Sequence, residues 1–182
     1  MFNNQFLTIM IIVLIGYMGS GKSTIGSQLA DALEYNFIDL DDYISSSEGS
    51  SISDIFTTKG EIYFRKQEHH YLNKILSSKD NMVLALGGGT PCYYNNMDAI
   101  LENANVISLY LKLSIPNLSQ RLFNEREKRP LISHIQSKQD LTEFIGKHLF
   151  ERVQFYSRAK YVINADQKSI KNILEEIIIL LI

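Results

Sequence analysis

The chain has 182 residues, a formal net charge of −2 at pH 7 and a single cysteine. A chain of this length suits one domain with a substantial core, and its near-neutral, dispersed charge excludes the broad basic field typical of nucleic-acid binding. With only Cys92 no internal disulfide can form, which suits a reducing compartment. We therefore expect one cytoplasmic domain over residues 1–182, with no nucleic-acid partner.

The first predicted element is the apolar strand from Thr8 to Ile15. It is too short for a transmembrane helix, lacks a preceding basic segment, and leads directly into a glycine-rich loop. We interpret it as a buried parallel strand rather than a signal peptide, and we expect no membrane partner. Residues Met1 to Leu7 are interpreted as a tail, with Met10 as an alternative translation start.

A phosphate-binding loop follows this strand. Residues 16–23, GYMGSGKS, fit the pattern G-x-x-x-x-G-K-[ST] and precede a helix predicted from Thr24 to Leu33. In this motif backbone N–H groups face the phosphates, Lys22 reaches the β- and γ-phosphate oxygens, and the Ser23 hydroxyl binds Mg²⁺. The strand–loop–helix context favours this interpretation over an ordinary glycine-rich turn. The predicted ATP-binding residues are Gly19, Ser20, Gly21, Lys22, Ser23 and Thr24.

A short strand predicted from Asn36 to Leu40 ends in the acidic sequence Asp39-Leu40-Asp41-Asp42. Open α/β sheets bind ligands at the carboxyl ends of their strands, so these carboxylates should face the phosphate loop. The next segment, Tyr43 to Phe56, predicts a helix that breaks near Gly49. Ser53 is the predicted N-cap after the break.

A long helix is predicted from the sequence Lys59-Gly60-Glu61 to about Leu76. Phe64, Leu72, Ile75 and Leu76 form its apolar stripe. Glu68 also falls on this stripe, one turn from Arg65. Because burying charges without partners is costly, we infer that Glu68 orients Arg65 toward a ligand. An exposed surface pair is the alternative at the same i,i+3 spacing.

The next two predicted strands run from Met82 to Leu86 and from Asn105 to Leu111. The first ends in Gly87-Gly88-Gly89, where a backbone could closely approach a bound molecule. A glycine triplet alone would indicate only a flexible turn. After the second strand, Ser114 is the predicted cap of a helix that reaches about Asn124.

Residues 125–139 are charged and polar, and we predict a mobile lid outside the core. The following helix, from Asp140 to Arg158, carries Arg152 on its apolar stripe, where the guanidinium requires a partner. The last elements are a strand from Tyr161 to Asn164 and a helix beginning at Ser169. Its predicted inward residues are Ile170, Ile173, Leu174, Ile177 and Leu181, with the apolar end from Ile177 to Ile182 in the core.

Strands and helices therefore alternate along the whole chain. This order predicts an α/β fold in which helices cover both faces of a parallel sheet through right-handed crossovers. We find no internal repeat and no domain linker.

The combined motifs closely resemble the shikimate kinase family. They are GYMGSGKS, the pair Asp39-x-Asp41, Gly60-Glu61 with Phe64-Arg65, the glycines 87–89, Arg129-Pro130-Leu131, and Arg152. They match in order over nearly the whole chain. The phosphate loop is shared by many families, but the combination is specific.

The resemblance implies a three-layer P-loop kinase fold, like that of nucleoside monophosphate kinases, with five parallel strands. It also implies a substrate-binding region at about 40–76 and the lid at about 125–139. The implied reaction is MgATP-dependent phosphorylation of the 3-hydroxyl of shikimate, in the biosynthesis of chorismate and aromatic amino acids. ATP and shikimate are the implied partners of what we expect to be a monomer.

The family's roles can be carried over to matching positions. Asp41 would contact the reacting hydroxyl and be the base, Asp39 would lie near Mg²⁺ and bind it through water, and Arg129 would be the lid arginine on the ATP phosphates. Arg121 matches an adenine-packing arginine, although the sequence 164–166 lacks a proline that some relatives carry nearby. The implied catalytic residues are Lys22, Asp41 and Arg129, and the implied shikimate-binding residues are Asp41, Arg65, Gly87, Gly88, Gly89 and Arg152.

Three other functions were weighed. Another small-molecule kinase of this fold, such as a gluconate or nucleoside monophosphate kinase, would share most of these motifs, and only acceptor tests separate them. A GTPase-type switch is disfavoured because the sequence has no D-x-x-G and no N-K-x-D. A metalloenzyme is disfavoured because the histidines lack H-x-x-x-H spacing and a cysteine partner; they are His69, His70, His134 and His148.

Overall fold

A computed structural model describes residues 9–182 of the chain. Five strands form one parallel sheet in the order β2-β3-β1-β4-β5. The strands are β1 Ile11–Ile15, β2 Asn36–Asp39, β3 Met82–Ala85, β4 Val106–Lys112 and β5 Tyr161–Asn164. The helices are α1 Lys22–Leu33, α2 Leu40–Glu48, α3 Ile52–Leu76, α4 Asn96–Glu102, α5 Ile115–Glu125, α6 Lys138–Tyr156 and α7 Ile170–Leu181. Short 3₁₀ turns occupy Thr90–Cys92 and Arg126–Lys128.

The predicted α/β architecture is confirmed. β1 is the central strand, and all five of its side chains are fully buried, as expected for a strand covered on both faces. Because all strands are parallel, the segments that follow β1, β2 and β3 lie at one edge of the sheet. The predicted tail, Met1 to Leu7, and a start at Met1 lie outside the described residues.

The break predicted at Gly60 is confirmed, whereas the N-cap predicted at Ser53 is wrong. α3 begins at Ile52, and its N-cap is Ser51 rather than Ser53, since the Ser51 hydroxyl accepts from the backbone N–H of Asp54 at 3.1 Å. Gly60, with φ 81° and ψ 168°, has a non-helical backbone conformation, so α3 consists of two helical segments that meet at a kink there. The helix predicted from Lys59-Gly60-Glu61 to about Leu76 corresponds to the second of these segments.

The lid is not wholly outside the core. Ile132 and Ile135 are buried in it, at 0% and 7% exposure, although most of their neighbours are polar. Their spacing of three places both side chains on the inner side of the turns that precede α6. The prediction of a segment without core residues is wrong for these two positions.

The last helix buries a narrower stripe than predicted. Ile173 and Ile177 are buried, but Ile170 is 39% exposed. Within the apolar end from Ile177 to Ile182, Ile178 and Leu181 also pack against the core, whereas Ile179 and Ile182 are exposed at 73% and 101%. The prediction that this end is a core element is therefore right for one side of the helix only. α7 packs against α1 and β5, and these contacts cover only one side of the helix.

No helix in residues 9–182 combines the length and apolar character needed to cross a bilayer.

Candidate active site

The loop between β1 and α1 folds around the side chain of Lys22. Its Nζ donates hydrogen bonds to the carbonyl oxygens of Gly16 at 2.9 Å and Tyr17 at 3.0 Å. These contacts leave one ammonium proton for a further acceptor. Burial lowers the pKa of Lys22 to about 8, against the opposing charges of Asp41 and Asp39. The lysine is therefore a largely protonated cation at a helix N-terminus, where phosphate oxygens bind favourably.

Ser23 and Asp39 place two kinds of oxygen ligand beside this loop. The Ser23 hydroxyl donates to Oδ2 of Asp39 at 2.6 Å, and Oδ1 of Asp39 accepts from the backbone N–H of Asp41 at 3.1 Å, which caps α2. Hydroxyl and carboxylate oxygens suit Mg²⁺, which usually takes few protein ligands and completes its shell with water and phosphate. Within the described chain, no group of three or more His, Cys, Asp or Glu side chains could hold a metal by itself. The donor set thus fits Mg²⁺ that arrives with a nucleotide.

Asp41 lies in the cavity that borders the phosphate loop. This phosphate cavity has a volume of about 520 Å³, and its lining includes Lys22, Ser23, Asp39, Asp41 and Arg129. Burial raises the pKa of Asp41 to about 6, and the negative charges of Asp39 and Glu68 add to the shift. A carboxylate whose pKa approaches neutrality suits a general base at a site of this kind.

Two arginines from different helices meet at a smaller cavity of about 130 Å³. Arg65 on α3 and Arg152 on α6 line this acceptor cavity, which shares Met18 and Gly88 with the phosphate cavity. The Nε of Arg152 is buried and has no hydrogen-bond partner among residues 9–182. Leaving such a donor unmatched is costly, so the cavity is suited to an anion. Two guanidinium groups favour a carboxylate or a phosphate.

Arg65 is held by carboxylates on its own helix. Its Nη1 donates to Oε2 of Glu68 at 2.9 Å, and its Nε donates to Oε1 of Glu61 at 3.3 Å. Glu68 is fully buried, so the alternative of an exposed surface pair is wrong. The predicted pairing of Glu68 with Arg65 is confirmed as a contact.

The three glycines after β3 lie against functional side chains. A Cβ added at Gly87 would lie 2.9 Å from Oδ1 of Asp41, and one added at Gly89 would lie 2.8 Å from Nη1 of Arg65. Gly88 lies between them, and its carbonyl accepts from the Tyr156 hydroxyl at 2.5 Å. Any larger residue at 87 or 89 would displace one of these two groups, so the triplet serves close approach rather than flexibility.

Two further arginines border the phosphate cavity. The Nη1 of Arg121 donates to the carbonyl of Gly19 at 3.3 Å, and Nη2 of Arg129 donates to Oε2 of Glu125 at 2.7 Å. The Nε of Arg129 is buried without a hydrogen-bond partner in the described part of the chain. Arg129 therefore already lies at the cavity that contains Lys22 and Asp41. The adenine contact of Arg121 stays a prediction.

Several polar residues around the acceptor cavity were missed from the sequence. The hydroxyl of Tyr17 lies 2.7 Å from Nδ1 of His148, which lines the same cavity as Arg152. Thr90 and Asn96 are fully buried and hydrogen-bonded close to Glu68. Each depends on a partner at least six residues away, and nothing in the local sequence signals such a pairing.

The comparisons with known proteins agree with this geometry. The family model for shikimate kinase matches residues 18–181. A shikimate kinase from Flavobacterium psychrophilum is 45% identical over 166 residues, which cover 91% of this chain and 95% of the relative. The crystal structure of shikimate kinase from Bacteroides thetaiotaomicron has a TM-score of 0.86 at 32% identity, covering 94% of this chain and 98% of that one. A shikimate kinase from Acinetobacter baumannii in complex with shikimate has a TM-score of 0.82 at 31% identity, covering 96% of this chain and 93% of that one. The chain belongs to the shikimate kinase family.

Proposed function

We propose that the protein transfers the γ-phosphoryl group of ATP to the 3-hydroxyl of shikimate, which yields shikimate 3-phosphate and ADP on the route to chorismate and aromatic amino acids. The observation that carries this proposal is the pair Arg65 and Arg152 at a cavity that shares Met18 and Gly88 with the phosphate cavity. Their guanidinium groups suit the carboxylate of the acceptor, while Asp41 lies within the adjoining cavity, on the side of the phosphate loop. An anionic acceptor with a hydroxyl group fits this arrangement.

In the proposed reaction the 3-hydroxyl oxygen attacks the γ-phosphorus, the bond to the bridging β–γ oxygen breaks, and Asp41 accepts the hydroxyl proton. Lys22 and Arg129 stabilise negative charge on the transferring oxygens and on ADP, with Arg121 as a further ATP contact. Ser23 and, through water, Asp39 would hold Mg²⁺, which neutralises phosphate charge when it is bound. The loop backbone from Gly19 to Thr24 receives the phosphates.

On the acceptor side, Arg65 and Arg152 bind the carboxylate and fix the orientation of the ring. Gly87, Gly88 and Gly89 let the backbone approach the bound molecule, so the hydroxyl is aligned with the γ-phosphate before transfer. One chain supplies every residue named, which supports a monomer as the active form. We further propose that it acts in the cytoplasm, where ATP is available.

An acceptor panel tests this function. ADP formation from MgATP would be coupled to NADH oxidation with shikimate, gluconate or AMP as the acceptor, and the product would be identified by mass. Of the three acceptors, we expect only shikimate to be phosphorylated. Lys22→Ala should show no turnover because it lacks the phosphate-binding cation, but it should keep the wild-type circular-dichroism spectrum. Preferred turnover with gluconate or AMP would instead assign the chain to another kinase of the same fold.

A further inference from the structure

Glu68 divides its two carboxylate oxygens between two partners. Oε2 accepts from Nη1 of Arg65 at 2.9 Å, and Oε1 accepts from the hydroxyl of Thr90 at 2.5 Å. Glu68 and Thr90 are both fully buried, so neither has access to bulk water. The carboxylate therefore makes one contact with the guanidinium rather than two.

The position of Thr90 is itself fixed by hydrogen bonds. Its backbone N–H donates to the carbonyl of Gly87 at 3.2 Å, and its own carbonyl accepts from Nδ2 of Asn96 at 2.8 Å. Asn96 is fully buried, and its Oδ1 lies 2.7 Å from Nδ1 of His69, the neighbour of Glu68 on α3. This network keeps the Thr90 hydroxyl directed at Glu68.

Arg65 retains unused donors on one edge of its guanidinium group. Nε contacts Glu61 and Nη1 contacts Glu68, while no side-chain hydrogen bond from Nη2 is found within residues 9–182. The plane of the group is fixed because it stacks 4.1 Å from the ring centroid of Tyr93 and because Nη1 and Nη2 face Gly89. Nη2 and the proton of Nη1 that Glu68 does not use are left as donors, and this edge suits a carboxylate bound in the acceptor cavity that Arg65 lines.

We propose that Thr90 is a positioning residue that keeps this edge of Arg65 free for the carboxylate of the acceptor. The inference rests on the proposed function, since it concerns how the same site binds shikimate. Without the Thr90 hydroxyl, Oε1 of Glu68 would be a buried carboxylate oxygen without a donor, which is costly. The nearest compensation is a second contact with Arg65, and a bidentate Glu68–Arg65 pair would compete with the incoming carboxylate.

The test is Thr90→Val, which replaces the hydroxyl with a methyl group of similar size. We expect the KM for shikimate to rise about tenfold or more, with the KM for ATP and kcat within about twofold, because only acceptor binding is affected. Thr90→Ser keeps the hydroxyl and should therefore keep the wild-type KM for shikimate. Thr142→Val is the matched control, because Thr142 also uses its hydroxyl in a side-chain hydrogen bond, 2.7 Å to Ser119, but lines neither cavity.

A neutral acceptor separates positioning of Arg65 from general damage. The methyl ester of shikimate cannot form a full ion pair with Arg65, so Thr90→Val should leave kcat/KM for the ester within about twofold of wild type. Equal losses for acid and ester, or an unchanged KM for shikimate, would overturn the inference.

If Thr90→Val does not fold, the same acid-to-ester comparison is made with Thr90→Ala, which adds no methyl group against Gly87. A wild-type protein that does not phosphorylate shikimate would overturn the proposed function, whereas an active wild type with no acid-specific loss would overturn this inference alone.

Discussion

At the scale of single residues, the pKa of Asp41 depends on its burial and on the charges around it. Its raised pKa of about 6 follows from burial and from the nearby carboxylates of Asp39 and Glu68. Below that pH the group is protonated and cannot accept the hydroxyl proton, so we expect kcat/KM for shikimate to fall about tenfold per pH unit on the acid side. Measuring kcat/KM from about pH 5 to about pH 8 tests this expectation.

The matching variant is Asp41→Asn, which keeps the volume and removes the proton acceptor. It should lower kcat by about 10²-fold or more and abolish the acid limb. A variant that keeps both kcat and the acid limb, or that changes only ATP affinity, would show that another group is the base.

The two acceptor arginines yield a second residue-level prediction. Arg152→Lys and Arg65→Lys should each raise the KM for shikimate with little change in the KM for ATP, because an ammonium group cannot make a two-point carboxylate contact. Arg158→Lys is the control, since Arg158 forms an exposed pair with Asp98 at 2.6 Å and lines neither cavity. Unchanged shikimate KM values in both test variants would mean that the two arginines have a structural role.

At the scale of elements, the lid combines an anchored part with a charged part. The buried Ile132 and Ile135 fix its middle, whereas Arg129 and Glu125 remain partly exposed at the phosphate cavity. We expect Arg129 to make its strongest contact in the closed state with both substrates bound. Removing a contact made only there lowers kcat and kcat/KM together.

Arg129→Ala should therefore lower kcat by about 10³- to 10⁵-fold while the melting temperature of the free protein stays unchanged. Amide exchange across residues 125–139 should slow when nucleotide and shikimate are added together. Arg126→Ala is the control, because the Arg126 side chain donates to the carbonyl of Phe123 and does not line the phosphate cavity. An active Arg129→Ala variant with fast exchange under all ligand conditions would refute the lid assignment.

At the scale of the whole molecule, two site residues affect folding stability in opposite directions as the pH falls. Burial lowers the pKa of His148 to about 4, and the charges of Arg152 and Arg65 add to the shift. Between about pH 6.5 and pH 4 the unfolded chain binds this proton more strongly, so stability is lost as the pH falls. Asp41 has the opposite effect. Between about pH 6 and its ordinary pKa of 3.8 the folded state binds the proton more strongly, so this group adds stability as the pH falls.

His148→Gln should therefore lose less stability than wild type between about pH 7 and pH 4.5, while Asp41→Asn should lose more. Urea midpoints at the two pH values measure the difference. His134→Gln is the control because His134 is exposed and lies in the lid rather than against the arginines. If His148→Gln and wild type lose equal stability on acidification, His148 does not contribute to the loss of folding stability at low pH.

Much of this fold was predictable because its signals are local. The short runs that form β1, β2 and β3, and the motifs that follow them, predicted that Lys22, Asp41 and Gly87 lie together at one edge of the sheet. The errors arose where tertiary contacts override local preference. Ile132 and Ile135 are buried within a polar segment, and Ile182 is exposed because α7 packs along one stripe only.

The candidate site was only partly predictable, for the same reason. Arg65 and Glu68 are one turn apart, so their pairing follows from helical spacing. Thr90 reaches Glu68 across 22 residues, and Tyr17 reaches His148 across 131, so neither contact has a local pattern. Such pairs become visible only when the chain is folded.

The backbone from Gly87 to Gly89 also limits the distance between Asp41 and Arg65. One end of the segment leaves no room for a Cβ beside Asp41, and the other leaves none beside the guanidinium group of Arg65. Two peptide units span at most about 7 Å, and they follow directly on the buried strand β3. In the proposed reaction Asp41 receives the proton and Arg65 binds the carboxylate, so we expect this segment to favour acceptors in which the hydroxyl and the acid group are separated by a matching distance.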